Sequence, residues 1–437
     1  MKDRQWGFRT RAIHAGGRPD PATGARAVPI YQTTSFVFDD TVDAADLFAL
    51  QKYGNVYSRI ANPTVAAFEE RMASLEGGIG AVATSSGQAA ELLTVIALAG
   101  AGDHLVASAG LYGGTHTLFD VTLRRLGIDT TFVPADDPGA FAAAVRPNTK
   151  LLYTEVIGNP SGVVADLAAL SDVAHHHGVP LVVDATLATP YLCRPLDHGA
   201  DIVVHSATKF LGGHGTSIGG VVVESGRFDW ANGKFPTFTD PVPSYNDLRF
   251  VENFGEYAFC TRLRAEQLRD TGASLSPFNA FLFLQGLETL PQRMDAHVAN
   301  ARGLADHLSD HPAVVEVRYA GLERSPWFGL ARRYLPLGPG AVLGFRVRGG
   351  REGGARFVES LEMVSHLANV GDTRTLVIHP ASTTHQQLSD DALRVGGVPP
   401  DLVRISVGLE DLDDILWDID QALHRAVDRV PDQGEGG

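Results

Sequence analysis

The fold of this chain is restricted most by seven short apolar runs between residues 80 and 224 that alternate with helical stretches. Segments such as 87–100 and 165–178 repeat their apolar residues with helical spacing. Repeated β/α alternation favours a mostly parallel sheet that is covered by helices on both faces. We therefore predict an α/β fold with a seven-stranded sheet, whose strands fall at 80–86, 103–108, 129–133, 150–155, 180–185, 201–206 and 219–224.

The remaining segments suggest three parts. Residues 1–60 are too interrupted by Gly and Pro for long elements, and the first clear helix follows, with Asn62 as its N-cap and Gly77 at its end. We predict a ligand-binding domain over 61–290, with an irregular Pro- and aromatic-rich insertion at 225–252. A smaller C-terminal α/β domain over 291–437 is indicated by four further apolar runs, at 314–319, 341–348, 364–370 and 402–408.

Charge and cysteine content exclude several classes of partner. The net charge is −15 without any Lys/Arg cluster, so we expect neither nucleic acid nor an anionic membrane surface as a partner. Two cysteines without a CxxC spacing predict no disulfide framework and a cytoplasmic location. Neither a signal-peptide pattern nor an apolar run of eighteen residues is present, and we expect no membrane span.

Polar side chains stand where the predicted strands end. In open parallel sheets, ligands bind beyond the carboxyl ends of the strands. The side chains in such positions are Glu155 and Asn159 after one strand, Asp184 after the next, Ser206, Thr208 and Lys209 after a third, and Ser86, Gly87 and Gln88 at a helix start.

Three of these features meet the needs of one cofactor. Gly87 at a helix start leaves backbone N–H groups open to a phosphate. Asp184 would pair with a cation, for which a cationic ring nitrogen or Lys209 would serve, and Lys209 beside apolar surface is suited to Schiff-base chemistry. Together they favour pyridoxal 5′-phosphate (PLP). Taken singly, each also has an ordinary interpretation as a helix start, a solvated strand end or a lysine reaching water, and a non-catalytic or nucleotide-binding α/β protein is the alternative class.

Several motifs resemble the Cys/Met-metabolism family of PLP-dependent enzymes. They are "YSRIANPT", "TSSGQAA", "VVDAT", "SATKFLGGHG", "HPASTTH" and "RISVGLED". The resemblance runs from about residue 10 to 425 and implies the fold type I, aspartate-aminotransferase-like architecture. Within the family, "ARAVPIYQTTSF", "LYGGT", "DPVPSYNDLRF" and "ANVGDTRTLVIHPASTTH" look like the O-acetylhomoserine sulfhydrylase branch.

The resemblance implies a role for each matching residue. Lys209 would be the Schiff-base lysine and later an acid/base, and Tyr112 would stack on the ring and move protons. Asp184 would pair with the ring nitrogen and Asn159 with the ring hydroxyl. The remaining cofactor contacts would come from Gly87, Gln88, Thr186, Ser206 and Thr208.

Further residues would act on substrate or between subunits. Arg404 would bind the α-carboxylate, with Asn369 as a second contact. Tyr57 and Arg59, two apart on a segment that we interpret as extended, would reach the cofactor phosphate of the neighbouring subunit, and Tyr57 would also meet substrate. The resemblance thus implies a homotetramer built as a dimer of dimers, with residues 1–60 contributing to the neighbouring subunit.

The implied reaction is γ-replacement on O-acetyl-L-homoserine by sulfide or methanethiol, giving L-homocysteine or L-methionine and acetate. Cystathionine γ-synthase, O-succinylhomoserine sulfhydrylase and methionine γ-lyase are the alternatives. Gly114 stands where γ-lyases usually carry cysteine, which disfavours the lyase, and Ala185 stands where the family often has asparagine. The motifs do not distinguish the acyl group, the sulfur donor or its delivery by a carrier protein.

We predict no metal site. The three histidines at 175–177 end a helix, where consecutive side chains diverge around the axis instead of converging on an ion. For His379 and His385 we expect packing or hydrogen bonding.

Overall fold

A computed structural model describes residues 6–383, 386 and 398–427. Its contacts divide the chain into two units. The large unit comprises Met1–Val156, Asp166–Gly212 and Thr216–Leu290, and the small unit comprises Ile157–Ala165, Gly213–Gly215 and Pro291–Gly437.

The large unit contains the seven-stranded sheet predicted from the apolar runs. The strand order is β1-β7-β6-β5-β4-β2-β3; β7 is antiparallel to both of its neighbours and the other pairs are parallel. This confirms the mostly parallel α/β sheet. The strands are β1 Gly80–Thr84, β2 His104–Ser108, β3 Asp129–Val133, β4 Thr149–Glu155, β5 Leu181–Asp184, β6 Ile202–Ser206 and β7 Gly220–Glu224.

The registers bring three strand ends together. Glu155 at the end of β4 pairs with Asp184 at the end of β5, and Asp184 pairs with Val204 on β6. The carboxyl ends of β4, β5 and β6 therefore lie side by side at one edge of the sheet.

Helices surround this sheet, and the first long one begins where its capping residues predict. The Asn62 side chain accepts from the Thr64 N–H, and the helix ends at Gly77 with φ +81°. The helices of this unit are α1 Phe8–His14, α2 Thr41–Phe48, α3 Pro63–Glu76, α4 Gly87–Leu98, α5 Gly113–Thr117, α6 Pro138–Ala144, α7 Leu167–His176, α8 Thr189–Leu192, α9 Pro236–Thr239, α10 Phe250–Phe254, α11 Ala258–Arg262, α12 Arg269–Thr271 and α13 Pro277–Glu288. Single π-helical turns, Leu118–Leu123 and Leu263–Leu268, continue α5 and α11, and short 3₁₀ turns occupy Pro195–His198, Pro243–Tyr245 and Gly255–Tyr257.

The segment 225–252 holds only short helical turns but contributes to the core. Trp230, Phe235 and Phe238 are buried in it, and the Trp230 ring stacks on Phe259 with the centroids 5.5 Å apart. The segment is thus irregular in backbone yet anchored by aromatic burial.

The small unit has its own five-stranded sheet in the order β10-β11-β12-β9-β8. Two details differ from the sequence prediction. The run at 364–370 forms only the two-residue strand β10, and the three-residue β11 was not predicted. The strands are β8 Val314–Arg318, β9 Val342–Val347, β10 Ser365–His366, β11 Leu376–Ile378 and β12 Leu402–Ser406; the helices are α14 Leu290–Asp310, α15 Phe328–Tyr334, α16 Gly350–Glu359 and α17 Leu412–Val427, with a 3₁₀ turn at Pro380–Ser382.

No helix in the described part of the chain is both long enough and apolar enough to cross a membrane. Cys193 and Cys260 are buried free thiols.

Candidate functional site

The first turn of α4 presents backbone N–H groups without partners. Ser86 precedes the helix in an extended conformation; its hydroxyl accepts from the Ala89 N–H at 3.1 Å and its carbonyl from the Ala90 N–H at 3.0 Å. Within the described ranges, the N–H groups of Gly87 and Gln88 make no hydrogen bond. These two donors at the positive end of a 12-residue helix suit an anion.

Gly87 brings this helix start directly onto the end of β6. A Cβ placed on Gly87 would lie 2.7 Å from Ser206 Cβ and 3.1 Å from Ser206 Oγ, closer than side chains approach. The absent side chain therefore lets the start of α4 approach Ser206 closely. We call Gly87, Gln88 and Ser206 the cradle; its donors fit a phosphate.

Asp184 stands next to the cradle and is held by Thr186. The Thr186 N–H donates to Asp184 Oδ1 at 2.7 Å, and Thr186 Oγ1 accepts from the Ser206 N–H at 2.8 Å. Thr186 thus ties the ends of β5 and β6 together. Burial raises the pKa of Asp184, while the hydrogen bonds from Thr186 act in the opposite direction. A cation beside this carboxylate would relieve its desolvation.

Lys209 lies in the turn that follows β6. Its N–H donates to the Ser206 carbonyl at 3.3 Å, which folds the turn back on the strand end. The neighbouring Thr208 hydroxyl donates to the Gly219 carbonyl at 3.2 Å and accepts from the Gly219 N–H at 3.1 Å. A phosphate contact from Thr208 therefore requires its proton to turn away from Gly219.

Tyr112 is positioned by an acid to which the sequence assigned no role. The Tyr112 N–H donates to Glu155 Oε1 at 2.6 Å, and Glu155 is buried. The Tyr112 ring is 49% exposed. A Cβ on Gly114 would lie 2.5 Å from Tyr112 Cε1 and 3.2 Å from Gln88 Nε2, so the ring lies close to the start of α4.

Sequence reasoning also missed Glu91, one turn into α4. It is 4% exposed, and its Oε1 accepts from the Thr115 hydroxyl at 2.9 Å. The available signal was a single acid inside an otherwise apolar helical run.

Tyr57 and Arg59 lie together but not on an extended segment. Tyr57 forms an isolated bridge with Ser35, and its carbonyl accepts from the Ile60 and Ala61 N–H groups, which makes 58–60 a turn. The extended interpretation of this segment is therefore wrong beyond Tyr57. The Arg59 guanidinium nevertheless lies 5.4 Å from the Tyr57 ring centroid.

The two residues line a cleft of about 500 Å³ in the large unit, together with residues 32–34 and 274–277. In the described structure neither of them hydrogen-bonds with the cradle. The structure thus brings Gly87, Ser206 and Asp184 together, but it does not add Tyr57 and Arg59 to them.

In the small unit, Arg404 is fixed by two asparagines. Its Nη1 donates to Asn159 Oδ1 at 3.3 Å and its Nη2 to the Asn369 carbonyl at 3.0 Å. Arg404 extends from β12, and Asn159 belongs to the segment that joins this unit after β4. The structure brings together these three predicted residues, and neutral oxygens aim the guanidinium. A guanidinium suits bidentate binding of a carboxylate.

The histidines that we expected to be structural make ordinary hydrogen bonds. His379 shares Nδ1 with the Ser382 hydroxyl at 2.8 Å and donates Nε2–H to the Pro400 carbonyl at 2.7 Å; burial lowers its pKa. His175 pairs with Asp201 at 2.9 Å. His385 lies outside the described residues. Among the described side chains, no cluster of three potential metal ligands is found.

Comparison with known proteins gives matches along nearly the whole chain. A family model for Cys/Met metabolism PLP-dependent enzymes matches residues 9–424. The O-acetyl-L-homoserine sulfhydrylase of Leptospira meyeri is 51% identical over 423 residues, covering 95% of this chain and 96% of the relative. The homocysteine synthase of Schizosaccharomyces pombe is 52% identical over 422 residues, covering 96% and 98%.

A solved structure is similar over the same length. It is a crystal structure from Campylobacter jejuni, described as a proposed O-acetylhomoserine (thiol)-lyase that carries pyridoxyl-lysine monophosphate. It superimposes with a TM-score of 0.93 at 36% identity and covers 96% of this chain and 100% of its own.

Proposed function

The chain belongs to the Cys/Met-metabolism family of PLP-dependent enzymes, and within it we propose that it replaces the γ-acetoxy group of O-acetyl-L-homoserine with sulfide. The products are L-homocysteine and acetate, and methanethiol would give L-methionine. The observation that carries this proposal is the cradle beside Asp184 in a chain about half identical to enzymes named for this activity.

The residues of the large unit fit PLP. The Gly87 and Gln88 amides and the Ser206 hydroxyl would hold the phosphate, Asp184 the ring nitrogen and Lys209 the aldehyde carbon. Thr208 would add a hydroxyl, and Thr186 orients Asp184. Asn159, a residue of the small unit, would contact the ring hydroxyl as the family resemblance implies. When bound, PLP withdraws electrons from the amino acid, which makes its α- and β-protons removable.

Lys209 would take and return these protons once substrate has displaced it from the cofactor. An amine does this at neutral pH only when its surroundings favour the neutral form, as desolvation does. Tyr112 would lie against the cofactor ring and take part in proton transfer, with its backbone fixed by Glu155 at 2.6 Å.

Arg404 and the contact at Asn369 would bind the α-carboxylate of the substrate. The asparagine oxygens that hold the guanidinium keep it oriented before substrate arrives. Holding the carboxylate fixes the direction of the α C–H bond, and fixed orientation of this kind lowers the barrier without any new chemistry.

Gly114 favours replacement over γ-elimination. A side chain at this position would press on the Tyr112 ring, since its first carbon alone would come within 2.5 Å of Cε1. The cysteine that the lyases carry here therefore does not fit beside Tyr112 in its present position. A cystathionine synthase shares the cofactor site, and it is the second candidate.

We further propose that the enzyme acts in the cytoplasm as a dimer of dimers, in which Tyr57 and Arg59 serve the cofactor of a second copy. The cleft they line lacks every cradle residue among its described walls. Large apolar side chains are exposed nearby in the sequence, Val37 at 99% and Tyr53 at 82%. Such exposure suits a surface covered by another subunit.

Steady-state kinetics on the purified enzyme test the proposed reaction. With sulfide, O-acetyl-L-homoserine should react at a higher kcat/KM than the O-succinyl ester. With O-acetyl-L-homoserine, sulfide should react at a higher kcat/KM than cysteine. Lys209→Ala should abolish turnover. Release of 2-oxobutyrate from methionine, or preferred formation of cystathionine, would overturn the proposal.

A further inference from the structure

Glu91 is a buried acid within the large unit that the proposed reaction does not use. It lies on α4 with its Oε1 bound by the Thr115 hydroxyl, while Oε2 is buried without a hydrogen-bond partner in the described structure. Unlike buried Glu69, which pairs with Arg264 Nη2 at 2.7 Å, Glu91 forms no ion pair within the described residues.

The neighbour of Glu91 is another acid. Asp184 on β5 is close enough to interact with it: after burial, the charge of Asp184 raises the pKa of Glu91, and a hydrogen bond from Glu91 acts to lower the pKa of Asp184. The Tyr153 hydroxyl on β4 is buried beside Glu91, and burial first and then the charge of Glu91 raise its pKa. Two further groups act on this pair. His205 on β6, which is hydrogen-bonded to Glu76, acts to lower the pKa of Asp184, and the charge of Glu155 at the end of β4 acts to raise the pKa of Tyr153.

Two ionised carboxylates can only accept hydrogen bonds, so neither can donate to the other. As two anions away from water they also repel each other. One shared proton removes both problems, because a neutral carboxylic acid carries less charge and can donate a hydrogen bond to the other carboxylate. Asp184 already receives a hydrogen bond from the Thr186 N–H, which favours its charged form. The proton therefore belongs on Glu91. The direction of the pKa shift agrees, since burial first and then the charge of Asp184 raise the pKa of Glu91 well above its usual value.

We propose that Glu91 stays protonated in the folded enzyme and donates a hydrogen bond to Asp184, as a positioning residue for the acid that faces the PLP ring nitrogen. The inference rests on the proposed role of Asp184. A donor on Asp184 stabilises its anion and lowers its basicity, so the proton between Asp184 and the cofactor stays on the ring nitrogen. Glu91 would thereby help to maintain PLP as a strong electron acceptor.

Infrared spectroscopy of the holoenzyme tests the protonation state directly. The carbonyl stretch of a protonated carboxylic acid should be present in the wild type and lost in Glu91→Gln. Measurement at pH 8.5 avoids Glu224, whose pKa burial raises to about 7. Glu69→Gln is the matched control, because an ion-paired buried glutamate should not contribute to this band. No loss of the band in Glu91→Gln would overturn the proposal.

The ¹⁵N chemical shift of the ring nitrogen in labelled PLP tests the consequence. It should be unchanged in Glu91→Gln, whose amide still donates, and should move toward neutral pyridine in Glu91→Leu. The Leu variant should also bind PLP about tenfold more weakly, the usual size of a lost hydrogen bond to a charged group. Equal shifts in Gln and Leu variants would contradict the donor role, and if Leu does not fold, the infrared result for Gln decides.

These readouts separate the inference from the reaction. An enzyme that binds PLP and passes both spectroscopic tests but does not make homocysteine would refute the proposed reaction and support the role of Glu91. An active sulfhydrylase with an ionised Glu91 would do the reverse.

Discussion

Substituting Gly87 by alanine should weaken PLP binding through displacement of the α4 amides. The new Cβ would lie 2.7 Å from Ser206 Cβ and 3.0 Å from its Cα. Carbon atoms prefer about 3.5–4.0 Å, so the helix start must move by about 1 Å. Overpacking of this kind costs about 1–3 kcal/mol, partly offset by up to about 1 kcal/mol from the better helix propensity of alanine.

Gly87→Ala should weaken PLP binding by more than it lowers the free energy of unfolding of the apoprotein. Loss of one hydrogen bond to a charged phosphate is worth about 1.5–3 kcal/mol, which corresponds to about a 10- to 100-fold higher Kd for PLP. Titration of the apoprotein with PLP measures this, and a thermal melt of the apoprotein records the stability. Gly329→Ala is the matched control, since the same change in α15 meets nothing within 4 Å. A Gly87→Ala protein with wild-type affinity for PLP would refute phosphate binding at the start of α4.

Three further predictions concern other parts of the enzyme. Gly114→Cys should lower kcat about tenfold by moving the Tyr112 ring, whereas Gly113→Cys, where a Cβ meets open space, should lower it much less; comparable losses would contradict the steric argument. Glu155→Gln should also reduce kcat about tenfold at unchanged thermal stability, because the Tyr112 N–H loses a charged acceptor, and wild-type kinetics would refute that role. Burial lowers the pKa of His297 from 6.5 to about 4. Between pH 6.5 and about 4 the unfolded chain therefore binds a proton that the folded chain does not, and the free energy of unfolding decreases as the pH is lowered. Replacing His297 by Gln should remove about 2 kcal/mol of the loss in urea-unfolding free energy between pH 6.5 and 5; an unaltered pH dependence would contradict a neutral buried ring.

The large sheet could be predicted from the sequence because its strands are short runs of buried aliphatic residues bounded by Gly, Pro and polar residues. The run at 201–206 illustrates this, as Ile202–Ser206 forms β6. The small sheet was harder to predict. Its strand Leu376–Ile378 has three residues and runs straight into Pro380, too short for any periodicity to be seen.

The roles of site residues could be predicted where the residue type and its position at a strand end indicate one chemistry. They could not be predicted where the role of a residue depends on its burial and its contacts. Lys209 and Asp184 stand at strand ends, a position with a known meaning in parallel sheets. Glu91 and Glu155 look like ordinary acids in the sequence, because nothing local states that Thr115 binds one and the Tyr112 backbone the other. Only the packing of α4 and α5 on the sheet reveals those contacts.

The proposed chemistry requires that this chain bind PLP through Lys209, in the turn after β6. Reduction of the purified holoenzyme with borohydride, followed by peptide mass mapping, tests it most directly. We expect one pyridoxyl phosphate per chain, attached to the peptide that contains Lys209. A label on another lysine, or no label on a protein that still makes homocysteine, would contradict PLP binding at Lys209.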